Sequence, residues 1–151
     1  MRRLYLLLIG LGIVAFLLVS AILARVFSAE GDERGAITSL IQAEARGDAG
    51  AVVGDILSCR TTPACRRRAV DNAAALRHPG TVSIIQIQPS TSFSIAGTLG
   101  TARVAWNVGG SLPIVQCVRV RRTGNVISGL QVQLLQVSRR IKSDTACPAR
   151  F

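Results

Sequence analysis

TARVAWNVGGSLPIVQCVRVRRTGNVISGLQVQLLQVS, residues 101–138, alternates apolar and polar side chains with a period of two wherever it is not turning. A period of two is the signature of a half-buried strand. On one side fall Ala102, Val104, Trp106 and Val108, then Ile114, Val118 and Val120, then Leu130, Val132 and Leu134. On the other fall Thr101, Arg103 and Asn107, then Cys117, Arg119 and Arg121, then Gln131 and Gln133. The first side must be covered and the second can meet water. Gly109-Gly110 and Thr123-Gly124-Asn125 read as hairpin turns, so neighbouring strands run antiparallel. Upstream, 81–88 (TVSIIQIQ) and 91–96 (TSFSIA) carry the same strand character. The doublets Ile84-Ile85 and Leu134-Leu135 break the alternation and read as bulges that bend the sheet.

Before residue 81 the period changes to 3.6. Thr62-Pro63 is an N-cap followed by a first-turn proline, starting a helix that runs to about residue 77. Cys65, Ala69, Ala73 and Leu76 lie on one of its faces. Asp48 caps a shorter helix carrying Val52, Val53, Ile56 and Leu57. Ahead of it, 32–46 reads as a helix with a stripe at Ile37, Leu40, Ile41 and Glu44/Ala45, stopped by Gly47. Acidic Asp32 and Glu33 suit the positive end of its dipole. Helices first and then a curved antiparallel sheet is an α+β arrangement, with the helices on one face.

Residues 4–24 hold no charged side chain, and Arg2 and Arg3 precede them. A run of that length, wound as a helix, matches a bilayer's hydrocarbon layer, which takes roughly 20 residues. The expectation is an N-terminal transmembrane helix, an uncleaved signal-anchor in the cytoplasmic membrane. The N-terminus then stays inside and the rest outside, because the basic residues sit ahead of the apolar run. A cleaved signal peptide is the competing account, but its apolar core is shorter and it ends at small residues two apart. The chain then divides into 1–24 (tip and anchor), 25–31 (linker) and 32–151 (an exported α+β domain). One domain of that length has its own core.

Cys59, Cys65, Cys117 and Cys147 all follow the apolar run, and an even count suits disulfides in an oxidising compartment. Four cysteines allow three pairings. Cys59–Cys65 would close a local loop, and Cys117–Cys147 would hold a tail that otherwise frays. That tail must then cross the polar face of the sheet. A zinc site is the rival, but there is no C-x-x-C pair and His78 is the sole histidine.

Eighteen basic residues face eight acidic ones, a formal charge of +10. A basic exported domain should attract anionic lipid head groups, an acidic polymer or an acidic protein partner in the envelope, and its location argues against nucleic acid. Arg66, Arg67 and Arg68 are the densest charge run and a candidate anion contact, set against the plainer account of a solvated helix face. Arg103, Arg119 and Arg121, with Gln131 and Gln133, share the polar face and form a candidate partner surface. His78 at a helix end suits the dipole, and Trp106 suits the core.

The element order gives a resemblance. A long first helix, DAGAVVGDIL, PACRRRAVDNAAALR, and strands ending in GLQVQLLQVSRRI resemble the NTF2-like (cystatin-like) superfamily of cone-shaped domains over about 32–141. Behind a membrane helix, such a domain is similar to Mce-associated membrane proteins and to assembly-factor subunits of type IV secretion systems. The resemblance implies a non-catalytic accessory or scaffold module in a cell-envelope complex, without cofactor. The alternative it implies is a lipid-like or small apolar ligand inside the cone. Enzymes of that superfamily place an Asp or His base and a Tyr, His or acid donor within the cone. Here the sole tyrosine is Tyr5, every acidic residue but Asp144 precedes the sheet, and no strand carries a carboxylate, so no catalytic or metal-binding residue is assigned.

Overall fold

A computed structural model describes residues 2–89, 98–125 and 129–151, and within the first helix the side chains at 8–24 and 30–46. Helix α1 (Arg2–Arg46) is followed by α2 (Ala49–Asp55), a 3₁₀ turn (Leu57–Arg60) and α3 (Pro63–Ala75). Strands β1 (Val82–Gln88), β2 (Thr98–Val108), β3 (Ile114–Asn125) and β4 (Gly129–Val137) form a sheet in the order β1-β2-β3-β4. Every neighbouring pair is antiparallel. The architecture is α+β.

The alternation sets the register. Val104, Trp106, Val118 and Val120 are fully buried and meet Ile37, Leu40 and Ile41 of α1, Val52 of α2, and Ala69 and Ala73 of α3 in one core. Residue Ile85 is skipped between the pairs Ile84↔Trp106 and Gln86↔Ala105. Leu135 is skipped in the same way between Arg119↔Gln136 and Val120↔Leu134. Both doublets are therefore bulges, each with one extra residue on its strand; Ile84 packs toward the core while Ile85 is exposed, and Leu134 and Leu135 are both buried. Gly109 and Gly110 turn the β2–β3 hairpin with φ of 55° and 81°, a region that L-residues avoid. The strand expected at 91–96 lies outside the described residues. Residues 123–125, read as a turn, continue β3, with Asn125 opposite Gly129.

Helix ends follow local chemistry. The Asp48 carboxylate accepts the Ala51 N–H at 3.0 Å and caps α2. Thr62 occupies the N-cap of α3 with extended backbone, but its hydroxyl makes no cap bond, and Pro63 takes the first helical position. At the end of α1 the Gly47 N–H donates to the Glu44 carbonyl and the Asp48 N–H to the Ala43 carbonyl, both at 2.9 Å. This pair of bonds is a Schellman ending, which requires Gly47 at φ 75°. A Cβ there would also approach Arg77 Cδ to 2.8 Å. Gly47→Ala should therefore cost about 1–2 kcal/mol, read as a lower urea midpoint; an unchanged midpoint would show that the ending tolerates a side chain.

Two expectations for the N-terminal part are corrected. Residues 25–31, read as a linker, are helical, and α1 runs unbroken for 45 residues. The i,i+4 pair Glu30–Arg34 (3.0 Å) adds support across the end of this segment. The transmembrane helix is also not supported: among the described residues no helix is long and apolar enough to cross a membrane. From residue 25 the same helix carries Arg25, Glu30, Asp32, Glu33 and Arg34, so its apolar character does not extend along it. The signal-anchor and the single-pass placement in the cytoplasmic membrane, with an inside tip and an outside domain, fall with it.

Candidate functional site

The sheet register brings the arginines together. Arg103 of β2 lies opposite Cys117 of β3, and Thr101 opposite Arg119. Across β3, Arg119 pairs with Gln136, Arg121 with Gln133, and Thr123 with Gln131. Paired residues share a face, so Arg103, Arg119, Arg121, Gln131 and Gln133 stand on the side away from the helices. Arg121 and Gln131 are exposed, while Arg103, Arg119 and Gln133 are half-buried.

The C-terminal segment explains that half-burial. Cys117 is fully buried on this face because Cys147 is bonded to it, with the two Cα atoms 5.8 Å apart. Arg103 Nη2 donates to the Ser143 carbonyl, and Arg119 Nη2 to the Ala149 carbonyl. The Arg119 guanidinium stands 5.3 Å from the centre of the Phe151 ring, a cation–π contact. Arg121 and Gln131 are left at the uncovered end of the face, where Leu99, 58 % exposed, lies across from Arg121.

The other disulfide, Cys59–Cys65, ties the 3₁₀ turn to the first turn of α3. Beside it, Arg66 and Arg67 are exposed and Arg68 is half-buried. Arg66 is drawn back by a 3.3 Å bond to the Arg60 carbonyl, and the three do not converge with the arginines of the sheet. His78 closes on nearby backbone: its backbone N–H donates to the Ala45 carbonyl at 3.0 Å, and its Nδ1 donates to the Leu76 carbonyl at 2.9 Å.

A second polar group lies on the covered side of the sheet. The Glu44 carboxylate of α1 is fully buried. Asn72 Nδ2 of α3 donates to Glu44 Oε1 at 3.0 Å and to the Ser138 carbonyl at 2.9 Å. Gln116 Nε2 of β3 donates to that same carbonyl at 3.2 Å, and Gln116 Oε1 accepts the Trp106 indole N–H at 2.9 Å. The Ser138 hydroxyl accepts the Cys117 N–H at 2.8 Å and donates to the Arg139 carbonyl at 2.7 Å. Among the described residues Glu44 Oε2 has no hydrogen-bond partner. Burial pushes the Glu44 carboxyl from its ordinary 4.5 up to about 7, while the amides of Gln116 and Asn72 pull it down. Sealed in the core, this acid meets no solute unless the helices part from the sheet.

The sequence reading missed this group. Its signal was a polar side chain at a core position on each of three elements. Glu44 follows Ile37, Leu40 and Ile41; Asn72 lies between Ala69 and Ala73; Gln116 interrupts the series Ile114, Val118, Val120. Among the described residues there is also an open groove of about 310 Å³, bounded by Ala36, Ser39, Asp55, Arg60 and residues 132–134. It lies beside β4, away from Trp106 and Val118, which are packed in the core. No group of three or more His, Cys, Asp or Glu is arranged to hold a metal among the described residues.

No family model matches the chain, and no curated protein or solved structure matches it.

Proposed function

We propose that the chain is a non-catalytic accessory module that docks an acidic partner protein of the cell envelope on the arginine-bearing face of its sheet. The observation behind this reading is the register that aligns Arg103, Arg119 and Arg121 with Gln131 and Gln133 across three strands. Side-chain amides and guanidinium groups on a rigid sheet offer directed donors to carboxylates. The formal charge of +10 favours encounter with an acidic surface. Two disulfides are consistent with an exported domain. An NTF2-like architecture remains part of the proposal, supported by helices laid over one face of a bulged antiparallel sheet.

The test separates a docking face from diffuse attraction. A fluorescein-labelled polyglutamate peptide is titrated into the full chain and followed by anisotropy. Arg121→Glu is expected to weaken binding about tenfold, and Arg67→Glu, on the solvated helix, to change it little. Raising salt should weaken binding, since contacts at the surface are screened within about 10 Å. Equal losses from the two variants, or a greater loss from Arg67→Glu, would overturn the assignment to the sheet face.

A further inference from the structure

The segment 142–151 forms no helix or strand, and its residues are exposed apart from Cys147 and Phe151. It nevertheless lies along the arginine face at four points: the Cys117–Cys147 bond, the Arg103 bond to the Ser143 carbonyl, the Arg119 bond to the Ala149 carbonyl, and the Phe151 ring beside Arg119. Surface bonds to neutral carbonyls are weak in net terms, and ordering ten residues costs chain entropy at each of them. The disulfide is therefore the clasp, and the other three contacts depend on it.

Those three contacts also report what this face recognises. Arg103 and Arg119, on neighbouring strands, each take an oxygen acceptor from one irregular segment, Ser143 within a turn and Ala149 at a bend. A guanidinium binds a carboxylate more strongly than a carbonyl, and can do so with two parallel bonds. We propose that the tail is a tethered stand-in for an acidic segment of the partner protein, and that opening Cys117–Cys147 releases Arg103 and Arg119 to bind that segment. This rests on the docking reading above and adds the condition that frees two of its arginines.

The opening step is a thiol–disulfide exchange with a dithiol reductant. Its thiolate attacks Sγ of Cys147, the half-buried partner, because Cys117 is sealed. The S–S bond breaks, Cys117 leaves as thiolate and takes a proton, and a mixed disulfide forms on Cys147. The second thiol of the reductant then displaces Cys147. Two electrons and two protons pass to the cysteines, and the reductant ends as a disulfide.

The experiment uses the full chain with Cys117→Ala and Cys147→Ala, which keeps Cys59–Cys65 intact, and the same labelled polyglutamate peptide. Fluorescence of Trp106, the sole tryptophan and fully buried, reports whether the core is retained. If the core is lost, a variant lacking 148–151 replaces it, since it keeps the disulfide but strips Ala149 and Phe151 from Arg119. The released form should bind about tenfold tighter than the oxidised chain, and adding Arg119→Gln should remove the gain. Equal affinities of the clasped and released forms would overturn the proposal. If release changes nothing while Arg121→Glu still weakens the oxidised chain, the tail proposal fails and the docking reading stands. If release tightens binding through Arg119 while Arg121→Glu has no effect, the tail proposal holds and the docking surface is confined to Arg103 and Arg119; if neither release nor Arg121→Glu changes binding, both readings fail.

Discussion

Glu44→Gln should stabilise the chain by about 3 kcal/mol near pH 8 and leave it almost unchanged near pH 4. Burial raises the folded carboxyl to about 7, against 4.5 for an ordinary glutamate. Below 4.5 both folded and unfolded chains carry the proton, and the group costs nothing. Between 4.5 and 7 the unfolded chain releases it while the folded chain keeps it. Unfolding is then favoured by about 1.4 kcal/mol for each pH unit. Above 7 the folded chain must hold a buried carboxylate, and the penalty stops growing. Glutamine has the same shape and no proton to lose, so its stability has no such slope. Asn72 can still offer its N–H to the side-chain carbonyl of the substituted glutamine, so the bond made at Oε1 survives. The measurement is a pair of urea titrations across that range, compared as a difference. Curves that run parallel from pH 4 to pH 8 would show that Glu44 is not held as the neutral acid.

Arg122→Ala should destabilise the chain by about 3–5 kcal/mol, the cost of removing one partner from a buried ion pair. Glu33 of α1 is fully buried, and both Nε (2.8 Å) and Nη2 of Arg122 donate to its Oε2. Only 19 % of the Arg122 side chain is exposed. The pair joins the helix layer to the far end of β3. Replacing both together, as Glu33→Met with Arg122→Leu, should recover most of the loss, because an apolar pair of similar volume has no charge to desolvate. Urea unfolding of the two variants tests this. A single variant within about 1 kcal/mol of the parent would put the pair outside the buried class.

Both predictions concern residues that a linear reading passes over. Arg122 occupies the even position after Val118 and Val120, on the helix side of the sheet, where alternation offers an arginine no partner. Its partner stands 89 residues earlier. In sequence Glu33 reads as a helix-dipole residue at the start of a separate helix, whereas α1 begins at Arg2 and Glu33 lies well inside it. The acid group behaves alike: Glu44, Asn72, Gln116 and Ser138 look like separate polar positions until α3 and β3 bring Asn72 and Gln116 to the one Ser138 carbonyl, with Glu44 of α1 bonded to Asn72.

Local rules reached a definite depth. The two-residue period assigned three strands their faces, the doublets placed both bulges, Gly47 and Asp48 marked a helix end and a helix start, and the cysteine spacing matches the two bonds present. Each is settled within a few residues, by where a side chain must point or which backbone group lacks a partner. The long-range pairings were not accessible in that way. Whether a buried charge finds its counter-charge, which carbonyl gathers two amides, and whether an arginine faces water or its own tail all depend on the distances among separate elements. Those distances exist only once the helices have been laid on the sheet, because a polar group satisfied across elements leaves no periodic trace in the chain.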